Sequence, residues 1–406
     1  MRVTTVFNRL LEIPGASVTA VDVSGPDVVV ELRQRNRRLR CPCGLTSTAI
    51  YDRSRRRWRH VDLGSRKCWL VVSIRRLDCP GCGVRTEMVP WARPAARHTR
   101  DFENKVAWLA QRCDRTSVSK LMRCSWDAVT SIISRVVADH LTSSRFDGLT
   151  RIGVDEICYR HPMKYLTVVG DHETSRVVWI AQGRDSAALT GFYDVIGDKR
   201  RAQIEAVSMD MGPTYREATR RQVPEAVICY DPFHVMMWAN AALTSAASES
   251  TSDKQLATVN NREWRATWWA LRRGQERLKP EKLELINTLK RTRRKLYRAW
   301  ELKELLRDVY RKIAPEDAPA YLKAWCTSAK RSKITSFVQL AKKIQRNIGG
   351  IIAAIQLGIS NALIEGINSK IRLINARGYG HHSPESLAMM IYLCLGGIKI
   401  KLPTGT

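Results

Sequence analysis

Short apolar runs separated by turn residues dominate the chain from residue 151 onward. IGVDEICYR, KYLTVVGD and SRVVWIAQGR read as three consecutive strands, with GDHETS as the turn before the third. A helix from about Ala187 to Ile196 follows, then IEAVSMD as a fourth strand, a helix through TYREATRRQ, and AVICYD as a fifth strand. A meander followed by alternating helix and strand predicts a mixed five-stranded α/β sheet with both hairpin and crossover connections.

Helical spacing takes over on both sides of that block. Upstream, DFENKVAWLAQRCD and TSVSKLMRCSWDAVTSIISRVVADHL predict helices joined by short turns. The last begins near Ser125, with Asp127 in its first turn and Val129, Ile132, Ile133, Val136 and Val137 on its buried face. This is the layout of a helix-turn-helix, whose second helix enters a DNA major groove. Lys120, Arg123 and Arg135 are its candidate DNA contacts. Downstream, more than a hundred residues separate the fifth strand from SNALIEGINSKIR, too many for a loop, and their periodicity predicts an inserted helical domain dense in Arg and Lys. Trp264, Trp268 and Trp269 are expected to pack in its core. The predicted domains are an N-terminal β region (1–95), a helix-turn-helix (96–145), an α/β core in two pieces (146–235 and 355–406) and the helical insertion (236–354).

Composition narrows the function. The 406 residues carry 68 Lys plus Arg against 39 Asp plus Glu, a net charge of +29 and a pI of about 10.1, so the expected partner is a polyanion. The excess is spread over several segments, unlike the single basic amphipathic helix of a membrane-surface protein. No apolar stretch has the length of a membrane span and the N-terminus lacks a signal core, so a soluble, cytoplasmic protein is expected.

Two sets of residues carry candidate chemistry. Cys41 and Cys43 in RCPCG and Cys79 and Cys82 in DCPGCG, with 35 residues between the pairs, form two turn-borne knuckles that could offer four thiolates to one structural Zn2+. RKCWLVVSIRRL between them alternates as a ribbon strand, and the short C-x-C spacing leaves His60 open as a substitute ligand. The second set is acidic. Asp155 and Asp210 end apolar strand-like runs and Glu365 lies on a helix. Two carboxylates about 4 Å apart repel by roughly 4 kcal/mol at an effective dielectric near 20, which a divalent cation reverses, and oxygen-only donors favour Mg2+ or Mn2+. The strand order matches an RNase H-like core, in which the first and fourth strands are neighbours and bring Asp155 and Asp210 together. Strand alternation sends Glu156 to the opposite face. Asp231 and His234 in YDPFHV end the fifth strand as active-site support, and Asn361, Asn368 and Arg372 share the helical face of Glu365 as candidate DNA contacts, with Lys370 turned away. RGYGHHS reads as a turn near the active site, with His381 and His382 in a solvated loop and not metal ligands.

Together, the cysteine knuckles, the helix-turn-helix, GVDE, the MD that follows a strand, YDPFHV and NALIEGINSKIRLINARGYGHHSPES resemble a bacterial insertion-sequence transposase of the ISL-three family, over nearly the whole chain. The resemblance implies a DDE mechanism on an RNase H-like fold, with Asp155, Asp210 and Glu365 as the catalytic acids. It further implies two Mg2+ (or Mn2+) ions, with Asp155 bridging both and each other acid binding one. The implied partners are double-stranded DNA, as transposon terminal inverted repeats and target, and a second subunit in a homodimer on DNA, in a nucleoid-associated setting. A DNA-binding regulator with an inactive core and a nuclease that cuts without joining are the alternative readings.

Overall fold

The computed structural model describes residues 2–160, 162–249, 261–381 and 383–402. The chain divides into an N-terminal unit, residues 1–142 with 373–406, and a central unit, residues 143–372. Among the described residues no single helix is long and apolar enough to cross a membrane.

In the N-terminal unit, α1 (Val3–Leu11) precedes a sheet in the order β1 (Ala16–Asp22), β2 (Val28–Gln34), β6 (Arg66–Cys79) and β5 (Asp52–Leu63), with β7 (Gly83–Thr86) paired to the end of β6. One face buries Val30, Leu70, Ile74 and Trp58, the last packed edge-on against Trp91 at 6.0 Å. Edge strand β5 displays Arg53, Arg55, Arg56 and Arg57 to solvent, a row of like charge that discourages edge-to-edge pairing. A short hairpin of β3 (Leu39–Arg40) and β4 (Thr46–Ser47) carries the first cysteine knuckle, and the β6–β7 turn carries the second.

Three helices follow: α2 (Arg100–Ala110), α3 (Arg115–Met122) and α4 (Trp126–His140). Asp114 and Ser125 cap the last two by accepting from the N–H groups of Ser117 and Ala128. Between them Arg123 takes a left-handed conformation (φ 50°) that turns the chain sharply. Val129, Ile132, Ile133, Val136 and Val137 are all buried, as their spacing predicts.

The central unit holds the five-stranded sheet, in the order β10 (Val177–Gln182), β9 (Lys164–Asp171), β8 (Arg151–Arg160), β11 (Ala206–Met209), β12 (Val227–Tyr230). β8, β9 and β10 form an antiparallel meander, and β11 and β12 run parallel to β8. One face buries Ile152, Val154, Val207 and Met209 in a core shared with α5 (Ser186–Arg201) and α6 (Pro213–Gln222). That core continues without interruption into α7 (Pro232–Glu249), α8 (Asn261–Arg272), α9 (Pro280–Thr292), α10 (Arg294–Asp308), α11 (Ala318–Arg331) and α12 (Thr335–Arg346). The insertion thus shares its core with the sheet. Trp264 and Trp268 pack against it, whereas Trp269 is 47 % exposed, a departure from the sequence expectation.

The opposite sheet face receives α13 (Ile348–Leu357) and α14 (Ala362–Arg377). Close approach of α14 requires two glycines. Gly153 and Gly170 are cross-strand partners on β8 and β9, and a Cβ on either would lie 2.7 Å from Ile364 Cδ1. Ile364 and Ile367 fill the notch that these glycines leave.

The partition differs from the sequence reading at the C-terminus, where 355–406 was assigned to the core. Residues 373–406 belong to the N-terminal unit: α15 (Pro384–Leu395) packs on α4, Gln111 Nε2 donates to the Leu393 carbonyl at 2.8 Å, and Arg377 Nη1 donates to the Gln111 carbonyl at 2.8 Å. RGYGHHS goes with them; Arg115 Nη2 lies 3.2 Å from His381 Nδ1, and His382 lies outside the described residues.

If the glycine notch seats α14, Gly153→Ala should destabilise the protein by about 1–3 kcal/mol through overpacking. The double variant with Ile364→Ala, which removes the Cγ1 and Cδ1 atoms that the new methyl would meet, should lose less than the two single changes summed. Chemical denaturation checks this; strictly additive effects would contradict it.

Candidate active site and structural metal centre

Register brings the two aspartates level. Ser208 on β11 pairs with Gly153 on β8, the strands are parallel, and Asp210 and Asp155 each stand two residues further on. Alternation then points both toward the face covered by α14. Asp155 Oδ1 accepts from the Glu156 N–H at 2.9 Å and Oδ2 from Asn368 Nδ2 at 2.8 Å, while Asp210 Oδ1 accepts from the Gly212 N–H at 3.0 Å.

Helix α14 supplies the remaining groups. Glu365 sits in its first turn and is exposed, with Asp231, His234 and Arg372 as its charged neighbours. Asn361 and Asn368 do not face solvent as candidate DNA contacts would. They are 1 % and 3 % exposed, Ser208 Oγ donates to Asn361 Oδ1 at 2.9 Å, and Asn368 holds Asp155. The i, i+4, i+7 geometry is as read from the sequence, but the side chains flanking Glu365 on this face are the ones that press on the sheet. Arg372 and Lys370 are exposed.

Asp231 is buried at the end of β12, and His234 Nδ1 lies 3.1 Å from its Oδ2. That hydrogen bond raises the His234 pKa; burial opposes it, and the charges of Asp231, Asp210 and Asp155 add to it. Burial pushes the Asp155 carboxyl up to about 7, against the Glu156 N–H hydrogen bond, and the charges of Glu156 and Asp210 push it further. Burial, then Asp210, also raises Glu156, so this acid belongs to the same electrostatic cluster although alternation turns it away. Charge thus links Asp155, Asp210, Glu156 and His234, while Glu365 feels Asp231, His234 and Arg372. The three predicted acids do not form a set with all ligand atoms within 4.8 Å.

Gly153, Gly170 and Ser208 are positioning residues that sequence reasoning missed, and Asn361, read there as a DNA contact, joins them through Ser208. The glycines within IGVDE and TVVGD carried the signal, since a glycine inside a strand marks close approach of another element.

The four cysteines do form such a set: the Sγ atoms of Cys41, Cys43, Cys79 and Cys82 lie within 4.8 Å of one another. Cys41 N–H donates to the Leu45 carbonyl and Cys82 N–H to the Cys79 carbonyl, closing the two knuckles. Among the described residues, Leu39 and Leu77 join the buried cysteines in this small core. The C-x-C spacing therefore still brings both thiols to the cluster, and His60 is not needed: it is buried with its Nδ1 2.9 Å from Thr99 Oγ1. Four sulfur donors within that distance suit a tetrahedral zinc ion.

Of the predicted helix-turn-helix contacts, Lys120 is exposed. Arg123 pairs with Asp62 and donates to the Ser65 carbonyl at 2.8 Å, and Arg135 Nη2 meets buried Glu103 at 2.6 Å. Both arginines thus brace the unit. Asp127, Ser131 and Ser134 occupy the exposed face of α4.

Comparison with known proteins matches this organisation. A family model described as a transposase, of the DDE type in ISL3, covers residues 152–391, more than half of the chain, and the helix-turn-helix domain of transposase family ISL3 covers residues 87–137. The chain is 36 % identical to the transposase for insertion sequence element IS1557 of Mycobacterium tuberculosis, over 93 % of this chain and 91 % of that protein. It is 23 % identical to the transposase for insertion sequence element IS1001 of Bordetella parapertussis, over 87 % and 88 %. With strand-end acids, a helix-turn-helix and a four-cysteine cluster all in a chain matched along nearly its full length, this protein belongs to the ISL3 family of insertion-sequence transposases.

Proposed function

We propose that the chain binds the ends of its insertion sequence as a homodimer, cuts the DNA strand and joins the freed 3′ end to a target, on an RNase H-like core. One observation carries the reading: Asp155 on β8 and Asp210 just past the end of parallel β11 each lie two residues beyond the matched pair Gly153 and Ser208, on the sheet face where Asn361 and Asn368 of the Glu365 helix make contact.

The donor chemistry of these residues fits a divalent cation. Their donors are all carboxylate oxygens, and Asp155 is a carboxyl destabilised by burial and neighbouring charge, which a cation would relieve. Asp155, Asp210 and Glu365 would hold Mg2+ or Mn2+, and when bound the metal would activate a water or 3′ hydroxyl and offset charge on the phosphate in flight. Asn368 fixes the rotamer of Asp155, and the Gly212 N–H fixes that of Asp210. His234, held by Asp231 with its pKa raised, is suited to donate to a phosphate oxygen. In the N-terminal unit, α4 is the helix for the major groove and the cysteine cluster holds Zn2+ that fixes the two hairpins.

Asp155→Ala, Asp210→Ala and Glu365→Ala should each lower strand cleavage by at least about a thousandfold while leaving end binding within twofold. Turnover retained by any one of them removes that residue from the metal set. With an oligonucleotide already ending in a 3′ hydroxyl, joined product in Mg2+ is expected; cleavage alone would make the protein a nuclease, and neither would make it a DNA-binding regulator.

Asp155 gives a readout independent of activity. Its pKa is raised in the fold, so folding favours its protonated form: stability falls as pH climbs from about 4 to about 7, and the full cost is present above 7. In chelator, Asp155→Asn should therefore raise stability at pH 8 by about 1–3 kcal/mol and not at pH 4. Mg2+ should stabilise the native protein at pH 8 and not the variant. Thermal melts check both, and an equal Mg2+ response would contradict the assignment.

Zinc analysis should find one ion per chain. Cys79→Ala should lose it, unfold the β3–β4 and β6–β7 hairpins and weaken end binding by about tenfold or more. Native protein free of zinc, or a variant binding as tightly, would overturn the site.

A further inference from the structure

Next to the acids lies a cleft of about 650 Å³ that none of these roles uses. Its floor is the first turn of α7, through Pro232, Phe233 and Met236, and arginines from the end of α8, the following turn and the end of α10 wall it. Consecutive residues of a helix point about 100° apart, so His234 turns toward the acids while Phe233 turns into the cleft. A strand leaving the acids can therefore enter the cleft by crossing one helical turn.

The lining is unlike an ordinary solvated face. Phe233 is 58 % exposed, an aromatic ring open to solvent among like charges. Tyr310, just past α10, has a buried hydroxyl with no hydrogen-bond partner among the described residues. Arg307 and Arg311 both pair with Glu276, and Arg307 also with Glu304, so this half of the wall is partly neutralised and held in place. The other half is less neutralised: Arg272 makes no ion pair among the described residues, Arg273 is stacked 3.4 Å from the ring centre of Trp269, and Arg277, its side chain 79 % exposed, pairs with Glu276 at 3.6 Å. An unpaired Arg272, further exposed guanidinium groups and an open aromatic face are the complement of a nucleotide, with its phosphates and its base plane.

We propose that this cleft binds one unpaired nucleotide of the substrate strand beside the cleavage position, with its base stacked on Phe233 and its phosphates on Arg272, Arg273 and Arg277. The proposal rests on the acids being the reaction centre, because they fix which nucleotide is adjacent. Extruding a base from a duplex costs unpairing and unstacking, so a site that takes an extruded base favours DNA in which that base is already unpaired.

The test is fluorescence anisotropy with the full chain in chelator, so that no cleavage occurs. The two probes are labelled duplexes of the insertion-sequence end, one fully paired and one with a single unpaired nucleotide at the junction with flanking DNA. Native protein should bind the unpaired probe about tenfold more tightly. Phe233→Ala should abolish the preference while leaving affinity for the paired probe within twofold, and Phe233→Leu, which keeps bulk without the aromatic face, should do the same. Arg272→Glu with Arg277→Glu should weaken binding to the unpaired probe about tenfold or more and flatten its log–log salt dependence by about 1.5. No preference in the native protein, or a preference that survives Phe233→Ala, would overturn the proposal. Asp155→Ala separates the two readings: it should lose cleavage and keep the preference. Turnover by that variant would displace the acids as reaction centre; a missing preference with acid dependence intact would sink the cleft alone.

Discussion

The seating of one helix on one glycine pair is the contact on which the central unit's chemistry depends. Gly153 and Gly170 face each other across β8 and β9, and without side chains there Ile364 and Ile367 of α14 can drop onto the sheet. The same helix places Asn361 against Ser208 and Asn368 against Asp155. A small outward shift of α14 would break both amide contacts and carry Glu365 away together with them. Strand-borne and helix-borne acids are thus linked by packing, on rigid elements that hold geometry better than loops.

Electrostatics runs against that packing. Burial and mutual repulsion raise Asp155, and the charge of Asp210 acts on both Asp155 and Glu156. The protein accepts carboxylates in a setting that disfavours their charge, which is how functional sites commonly differ from structural ones. The Asp231–His234 hydrogen bond, which favours the protonated imidazole, answers part of this, and beyond it the balance turns basic along the arginine-walled cleft. Acid next to base within a few residues of α7 suits a substrate that is itself a chain of phosphates.

Much of this was legible in the sequence because it rests on periodicity. The five strands, the adjacency of the strands that bear Asp155 and lead to Asp210, and the cap at Ser125 follow from alternation, strand order and short-range capping chemistry. The cysteine cluster follows from spacing, and its C-x-C irregularity proved tolerable once the backbone turns were in place. What escaped depends on long-range partners. Asn361 and Asn368 sit on the helical face that spacing assigns them, but periodicity does not say whether that face meets DNA or a sheet. Arg123 and Arg135 read as DNA contacts until their carboxylate partners, remote in sequence, are seen. Pairing of 373–406 with the N-terminal unit has no local signal at all.

The most direct test of the account is anomalous diffraction from crystals of the protein grown with Mn2+ and an insertion-sequence end. Manganese peaks ligated by Asp155, Asp210 and Glu365 are predicted. Manganese bound by Asp155 and Asp210 with Asp231 or Glu156 as the third acid, and Glu365 left outside, would contradict it.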